Sequence, residues 1–321
     1  MWHASALSQL AAFGLRRVVV TAGVFDGLHL GHRQILATLF ELAAAHRAAP
    51  VVITFDPHPR EVLAPGRAPR LLLSTEHKLH LLARAGVSAT VVLPFSAEMA
   101  ALSAEDFLAR HLCHGDVAVA AICVGERWRF GHGAQGDTAL LARVGAARGV
   151  QVVPVPERLL DGQPISSTRT RQAIEGGQLE EAARLLGRPF AIMGRVEFGK
   201  GIATSDLHYP TANIAGGNSV FPPHGIYVAT ALHYTAQGPD PRRLPGVLYL
   251  GNAPTFVENA PPRPFVEMHI FDFKGDLYGE LLEVEFLHFL RPDAKFADAA
   301  ALRAQIATDV AAARRFHGLA T

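Results

Sequence analysis

Cysteine is scarce: Cys113 and Cys123 are the only two in 321 residues. That excludes a disulfide scaffold and fits a reduced compartment, with both thiols expected as small buried hydrophobes. No apolar run approaches the roughly 18 residues of a membrane span, so no membrane partner is expected. Neither sign of charge dominates. The chain has 30 basic and 29 acidic residues and a net charge of +1, with no basic patch, so a nucleic-acid partner is not expected either. Residues 2–15 carry no full charge, but Arg16 and Arg17 follow that stretch instead of preceding it. This is the wrong order for a secretory signal, and the expected location is the cytoplasm.

What is present is core-forming material. Hydrophobic residues make up 49% and charged residues 18%, which rules out a mainly disordered chain. At about 150 residues per domain, the length suggests two domains. Sixteen histidines are generous, but number alone does not indicate a metal.

The first half alternates strand-like and helix-like runs. Val18–Thr21, Val51–Phe55, Ala89–Leu93, Val117–Val124 and Val150–Val155 read as strands. Arg33–His46, Lys78–Ala85, Ala104–Leu112 and Thr138–Arg148 read as helices. This alternation predicts an α/β domain with a parallel sheet, whose ligands bind at the carboxyl ends of its strands. The helix Leu179–Leu186 ends at Gly187, with Pro189 beyond it as a stop signal. Past that point, short strands broken by Gly and Pro predict a small antiparallel barrel or sandwich, then a long amphipathic helix over Asp298–Phe316. Phe265–Phe273 and Leu281–Phe289 read as neighbouring strands joined through Lys274-Gly275-Asp276. The boundary is expected near residue 187.

Two glycine-rich patterns are weak signals. Gly194–Gly201 nearly spells a phosphate-binding loop, but lacks the final hydroxyl and a following helix. Gly131–Gly136 spells G-x-G-x-x-G, but does not sit between a strand and its helix.

A stronger signal follows the first strand: Gly23-Val-Phe-Asp-Gly-Leu-His29-Leu-Gly31-His32. Two histidines flank a glycine where a helix begins. Unpaired amides and the helix dipole favour a phosphate there, and Gly31 permits close approach. Imidazoles at this place can donate hydrogen bonds as charge builds on phosphate oxygens. A metal site reads less well, because no third ligand stands at a usual spacing. Ser166-Ser-Thr-Arg-Thr-Arg171, before another helix, offers capping hydroxyls and two arginines.

These motifs resemble the nucleotidyltransferases with a His-x-Gly-His signature. More closely, the chain resembles the bacterial bifunctional riboflavin kinase/FMN adenylyltransferases, or FAD synthetases, from about residue 18 to 316. Thr54-Phe-Asp-Pro-His-Pro59, Leu102–Phe107, Arg129–Gly131, Gly136-Asp137 and Leu185–Pro189 carry the likeness in the first half. Pro210-Thr-Ala-Asn213, His224–Tyr227, Pro254–Phe256, Glu267-Met-His269 and Phe271–Gly279 carry it in the second.

The resemblance implies two domains, over 1–186 and 187–321. The first would be a Rossmann-like nucleotidyltransferase moving AMP from ATP to FMN. The second would be a β-barrel kinase making FMN from riboflavin and ATP, with Mg2+. His29 and His32 would stabilise the transition state. Gly23, Phe25, Asp26, Gly31, Ser167, Thr168 and Arg171 would bind ATP or its phosphates. Asp56, His58, Arg127 and Phe130 would line the flavin site, although Asp56 and His58 equally suit ordering an Asp-Pro turn. In the kinase, Thr211 and Asn213 would hold Mg2+ and Glu267 would act as general base. On an ideal strand, Glu267 shares a face with His269, Phe271 and Phe273.

Some positions depart from the family pattern. Arg127 stands where a small polar acceptor is usual, and Arg can only donate. Ile202–Tyr209 has neither the expected glycine nor arginine before Pro210, and Ala253 replaces a usual basic residue. Three readings therefore stay open: a working bifunctional enzyme, an adenylyltransferase with a weak, retuned or merely flavin-binding barrel, and a non-catalytic flavin-binding paralogue. The sequence leaves oligomeric state open.

Overall fold

The structure, a computed structural model, describes residues 1–112, 117–198, 210–235, 238–252 and 264–320. Cys113, the loop 202–209, Ala253 and Pro254–Phe256 lie outside the described residues. By internal contacts the chain forms two compact units. One comprises Met1–Arg70 and Lys78–Ser167, the other Leu71–His77 and Thr168–Thr321.

The first unit is a six-stranded parallel sheet. Its strands are β1 (Trp2–Ala4), β2 (Arg17–Ala22), β3 (Ala49–Asp56), β4 (Ala89–Pro94), β5 (Ala118–Gly125) and β6 (Gln151–Val155), in the order β1-β4-β3-β2-β5-β6. Helix α1 (Leu30–His46) follows β2, α2 (Pro59–Leu63) and α3 (Thr75–Arg84, of which Lys78 onward belongs here) follow β3, α4 (Ala97–Ala100) and α5 (Ala104–Phe107) follow β4, and α6 (Thr138–Ala146) follows β5. Strands β2, β3 and β5 each carry a buried, mainly Val/Ile/Ala stretch of five residues, as expected where helices cover both faces of a parallel sheet. Strand order reverses at β2, which pairs with β3 on one side and β5 on the other. Ligands of such sheets sit beyond the strand ends at this point.

In the second unit, α7 (Ser167–Glu175, of which Thr168 onward belongs here) and α8 (Leu179–Leu186) lead to the barrel. Gly187 closes α8 with φ +68, as the stop signal requires. The barrel strands are β9 (Phe190–Glu197), β10 (Ala212–Ile214), β11 (Gly225–Thr235), β12 (Gly238–Asn252), β13 (Pro264–Ile270) and β14 (Leu281–Pro292). They close antiparallel in the order β10-β13-β12-β11-β14-β9, which removes free sheet edges. Helix α9 (Ala299–Phe316) begins at Asp298, whose carboxylate accepts from the Ala301 amide at 2.8 Å. The expected fold class, a parallel α/β half followed by an antiparallel barrel and a long helix, is the observed one.

Several expectations need correction. Strands β13 and β14 are not neighbours: β13 pairs with β10 and β12, while β14 pairs with β11 and β9. The Lys274–Asp276 turn therefore crosses the barrel instead of making a hairpin. Strand β13 ends at Ile270 and Asp272 turns left-handed with φ +55, so Phe271 and Phe273 do not prolong the Glu267 face. Phe271 instead packs with Val228 and Ala313 of α9. Residues 104–112 are a single α-helical turn continued by a π-turn over Leu108–Leu112. Gly194, from the near phosphate-loop pattern, lies inside β9, where a Cβ would run into the Ala215 carbonyl.

Helix α9 is fastened by Arg291, which donates from Nε and Nη2 to both Asp309 oxygens at 2.8–3.1 Å. Asp309 also accepts from Gln305 at 2.9 Å and is buried. Replacing Asp309 by Ala leaves that largely buried guanidinium without its carboxylate, with only the Pro292 carbonyl still accepting from Nη1. The expected loss is about 3 kcal/mol in urea unfolding of the barrel. Cys123 is fully buried on β5, and burial pushes its thiol up to about 12. At pH 8, iodoacetamide should label the Cys123 peptide in denaturant and not in the native protein, read by peptide mass spectrometry.

Candidate functional site

In the first unit the site is built on the turn between β2 and α1. Phe25 (φ +53), Gly27 (φ +89) and Leu28 (φ +43) are all left-handed there. Two of these are not glycine, which is uncommon and costs free energy at each residue. The turn is pinned from two sides. Thr54 Oγ1 on β3 donates to the Val24 carbonyl at 3.0 Å, and Ser167 Oγ donates to the Asp26 carbonyl at 2.8 Å.

His29 is the N-cap of α1. Its Nδ1 accepts from the His32 amide at 3.3 Å. An accepting Nδ1 places the neutral ring's proton on Nε2, so the far side of the ring is a donor. A Cβ at Gly31 would lie 3.2 Å from the His29 ring and 3.5 Å from the Ile165 carbonyl, so glycine lets the cap close down. The His29 and His32 rings stack at 3.7 Å between centroids, with 15° between planes. Phe25 flanks His32 at 5.1 Å. Burial, then His29, then Lys78 hold the His32 imidazolium well below the usual histidine range. His32 Nδ1 is buried and has no hydrogen-bond partner among the described residues. The result is two neutral imidazoles at a helix N-terminus, next to the amides of Leu30 and Gly31 that precede the first intrahelical bonds. This can bind an anion and stabilise charge growing on it.

The structure brings Gly23, Phe25, Asp26, His29, Gly31, His32 and Ser167 into this turn. Thr168 and Arg171, one turn along α7, fall in the second unit. Asp56 ends β3, and His58 caps α2 by accepting from the Arg60 amide at 3.1 Å. Phe130 is buried in an aromatic group, stacked on Trp128 at 4.5 Å and 5.9 Å from Phe107. Arg127 points outward and pairs with Glu157 at 3.1 Å. Lys78 of α3 was not expected here: its Nζ donates to Thr54 Oγ1 at 3.2 Å, behind the turn. A lysine on a helix reads as a solvent-facing residue, and only the fold shows it to be inside.

In the second unit, Thr211 immediately precedes β10, and Asn213 of β10 lies directly across from Glu267 of β13. Thr211 Oγ1 donates to Glu267 Oε1. Asn213 Oδ1 is buried and has no partner among the described residues. That orphaned oxygen and the Thr211 hydroxyl form a hard-oxygen pair that fits Mg2+. Thr211 also borders a cavity of about 180 Å³ lined by Val196, Met268, Ile270, Phe273 and Tyr278. Tyr278 stacks at 4.0 Å on Phe198, which is 82% exposed. The sequence held no signal for this pair, because β9 and the segment before β14 meet only when the barrel closes.

Comparison with known proteins matches both halves of the chain. A family described as FAD synthetase matches residues 14–169, and one described as riboflavin kinase matches residues 186–317. A protein of Escherichia coli (strain K12) named bifunctional riboflavin kinase/FMN adenylyltransferase is 36% identical over 301 residues, 94% of this chain and 93% of its own. A Pseudomonas fluorescens protein of the same name is 37% identical over 300 residues, covering 93% of each. A crystal structure from Streptococcus pneumoniae, described as a macrolide-efflux protein, aligns with a TM-score of 0.76 at 28% identity over 91% of this chain and 92% of its own. No helix among the described residues is long and apolar enough to cross a membrane.

Gly31→Ala should press the new methyl on the His29 ring and move the stack. The expected result is a fall of about tenfold or more in the turnover supported by this site, with the circular dichroism spectrum unchanged. His32 binds fewer protons folded than unfolded, so stability falls as pH drops below the ordinary histidine range near 6.5. His32→Asn should flatten that slope in urea titrations between pH 7 and pH 5.

Proposed function

The chain belongs to the bifunctional riboflavin kinase/FMN adenylyltransferase family, and from that premise we propose how its two halves make FMN and then FAD. The functional division falls at residues 1–186 and 187–321. The stop at Gly187 and the separate family matches support it.

In the first half a phosphate oxygen of FMN attacks the α-phosphorus of ATP. The bond to pyrophosphate breaks as the new bond forms, and FAD leaves. No covalent intermediate on the protein is needed, so the residues' work is alignment and charge stabilisation. His29 and His32 donate to the oxygens that gain charge. The stacked rings at the α1 N-terminus are the observation that carries this reading. Their neutrality matters. A ring that starts uncharged meets the growing charge with an N–H donor and does not compete for a second proton. Gly23, Phe25, Asp26 and Gly31 shape the phosphate cradle, and Ser167, Thr168 and Arg171 hold the leaving pyrophosphate. Trp128, backed by the buried Phe130 it stacks on, offers a flat apolar wall for the flavin ring, and Asp56, His58 and Arg127 line the same approach.

In the second half Glu267 takes the proton of riboflavin's terminal ribityl hydroxyl as that oxygen attacks the γ-phosphorus of ATP, and ADP leaves. Thr211, hydrogen-bonded to Glu267, fixes the carboxylate's orientation. Thr211 and Asn213 would hold Mg2+, which supplies charge neutralisation on the ATP phosphates. Substrates are small molecules: ATP and flavins.

Two variants separate the halves. His29→Ala with His32→Ala should lower FAD formation from FMN at least a hundredfold and leave FMN formation from riboflavin intact, read by chromatography of the products. Glu267→Ala should do the converse. One change abolishing both reactions in a folded protein would contradict the two-site assignment.

A further inference from the structure

We propose that Lys78 is a positioning residue for adenylyl transfer: its buried ammonium, hydrogen-bonded to Thr54, locks the turn that carries His29 and His32. This rests on the placement of that reaction at the two histidines.

Lysine is almost never fully buried unless its charge is answered, because its ammonium loses hydration. Lys78 is 5% exposed, on a helix face shared with buried Leu81 and Leu82. A leucine would fill that position without the desolvation cost, so the charge itself calls for an explanation. Its surroundings supply one. Nζ donates to Thr54 Oγ1, and the same hydroxyl donates onward to the Val24 carbonyl. This makes a continuous path from α3 through β3 into the turn. The turn holds two left-handed residues other than glycine within four positions, Phe25 and Leu28, a conformation that persists only when its neighbours hold it.

Charge points the same way. Burial lowers the pKa of Lys78, while the negative charges of Asp26, in the turn, and then Asp56, at the end of β3, raise it. Asp26 is itself 3% exposed. Removing the ammonium would leave a buried carboxylate in the turn without that cation, next to the place where a triphosphate must come. The turn would relax toward water, and the stacked rings would move with it. Ser167, on the Asp26 carbonyl, is a neutral clamp and cannot replace the charge.

The test compares Lys78→Met and Lys78→Arg in the full chain, with riboflavin phosphorylation by the same sample as the folding control. Lys78→Met should lower kcat for FAD formation by about 100-fold, as a misplacement of about 1 Å does, with KM for ATP changed less than about threefold. Lys78→Arg, which keeps the charge, should recover at least about tenfold of that loss. A Met variant within about threefold of the parent kcat, or an Arg variant as slow as Met, would overturn the proposal. If Lys78→Met also loses the kinase reaction, Thr54→Val carries the test, because it cuts the path and keeps the volume. Slower FAD formation with an intact kinase supports the proposal, and an unchanged rate refutes it. The double histidine variant separates the two layers. FAD formation that survives it removes the site placement itself. FAD formation that is lost there and unaffected at Lys78 removes only this inference.

Discussion

The first unit depends on one strained turn. Between β2 and α1 the chain makes three left-handed steps within four residues, and the outcome is a histidine cap folded back over its own helix start. The sheet places this turn where the strand order reverses, at the carboxyl ends of its strands. Thr54 and Ser167 bond to its carbonyls from separate elements, and Lys78 bonds to Thr54 from behind. The close stack of His29 on His32 follows, and it makes double protonation costly. Local strain, ring stacking and depressed basicity are thus consequences of one backbone choice.

The second unit solves a different problem. A kinase site needs oxygen atoms fixed on neighbouring strands, and a closed barrel fixes their register. Asn213 faces Glu267 across the β10–β13 ladder, and Thr211 reaches the same carboxylate from one strand step away. The neighbouring residues Ala212, Val266 and Met268 point into the barrel and are buried. This alternation leaves the polar set on the opposite face. Helix α9, clipped by the Arg291–Asp309 fork, covers another part of the barrel wall.

Much of this was legible in the residues. Strand and helix alternation, the stop at Gly187 and the Asp298 cap each follow from local rules that the structure obeys. The His-x-Gly-His segment was legible as a helix start because it follows a strand-like run and carries glycines, and His29 is the N-cap of α1. The pairing of β13 and β14 was misread for a stated reason. Strands close in sequence usually pair, but closing a six-stranded barrel places β13 and β14 apart in the ladder. The face of Phe271 was misread because a strand's period ends where the strand does, and Asp272 ends it. Lys78 was invisible because a buried charge looks like a surface charge until its partners on β3 and the β2–α1 turn are known. Arg127 was legible as a departure, and its pairing with Glu157 shows where that charge goes without the cost of burial.

The central claim is that one chain carries both steps, and it is tested most directly by following products over time. Purified protein given ATP, Mg2+ and riboflavin should yield FMN first and then FAD, and a parallel sample given FMN should yield FAD without delay. FAD from FMN with no product from riboflavin would contradict the account. It would mean that Glu267, Thr211 and Asn213 sit in a barrel that binds without phosphorylating.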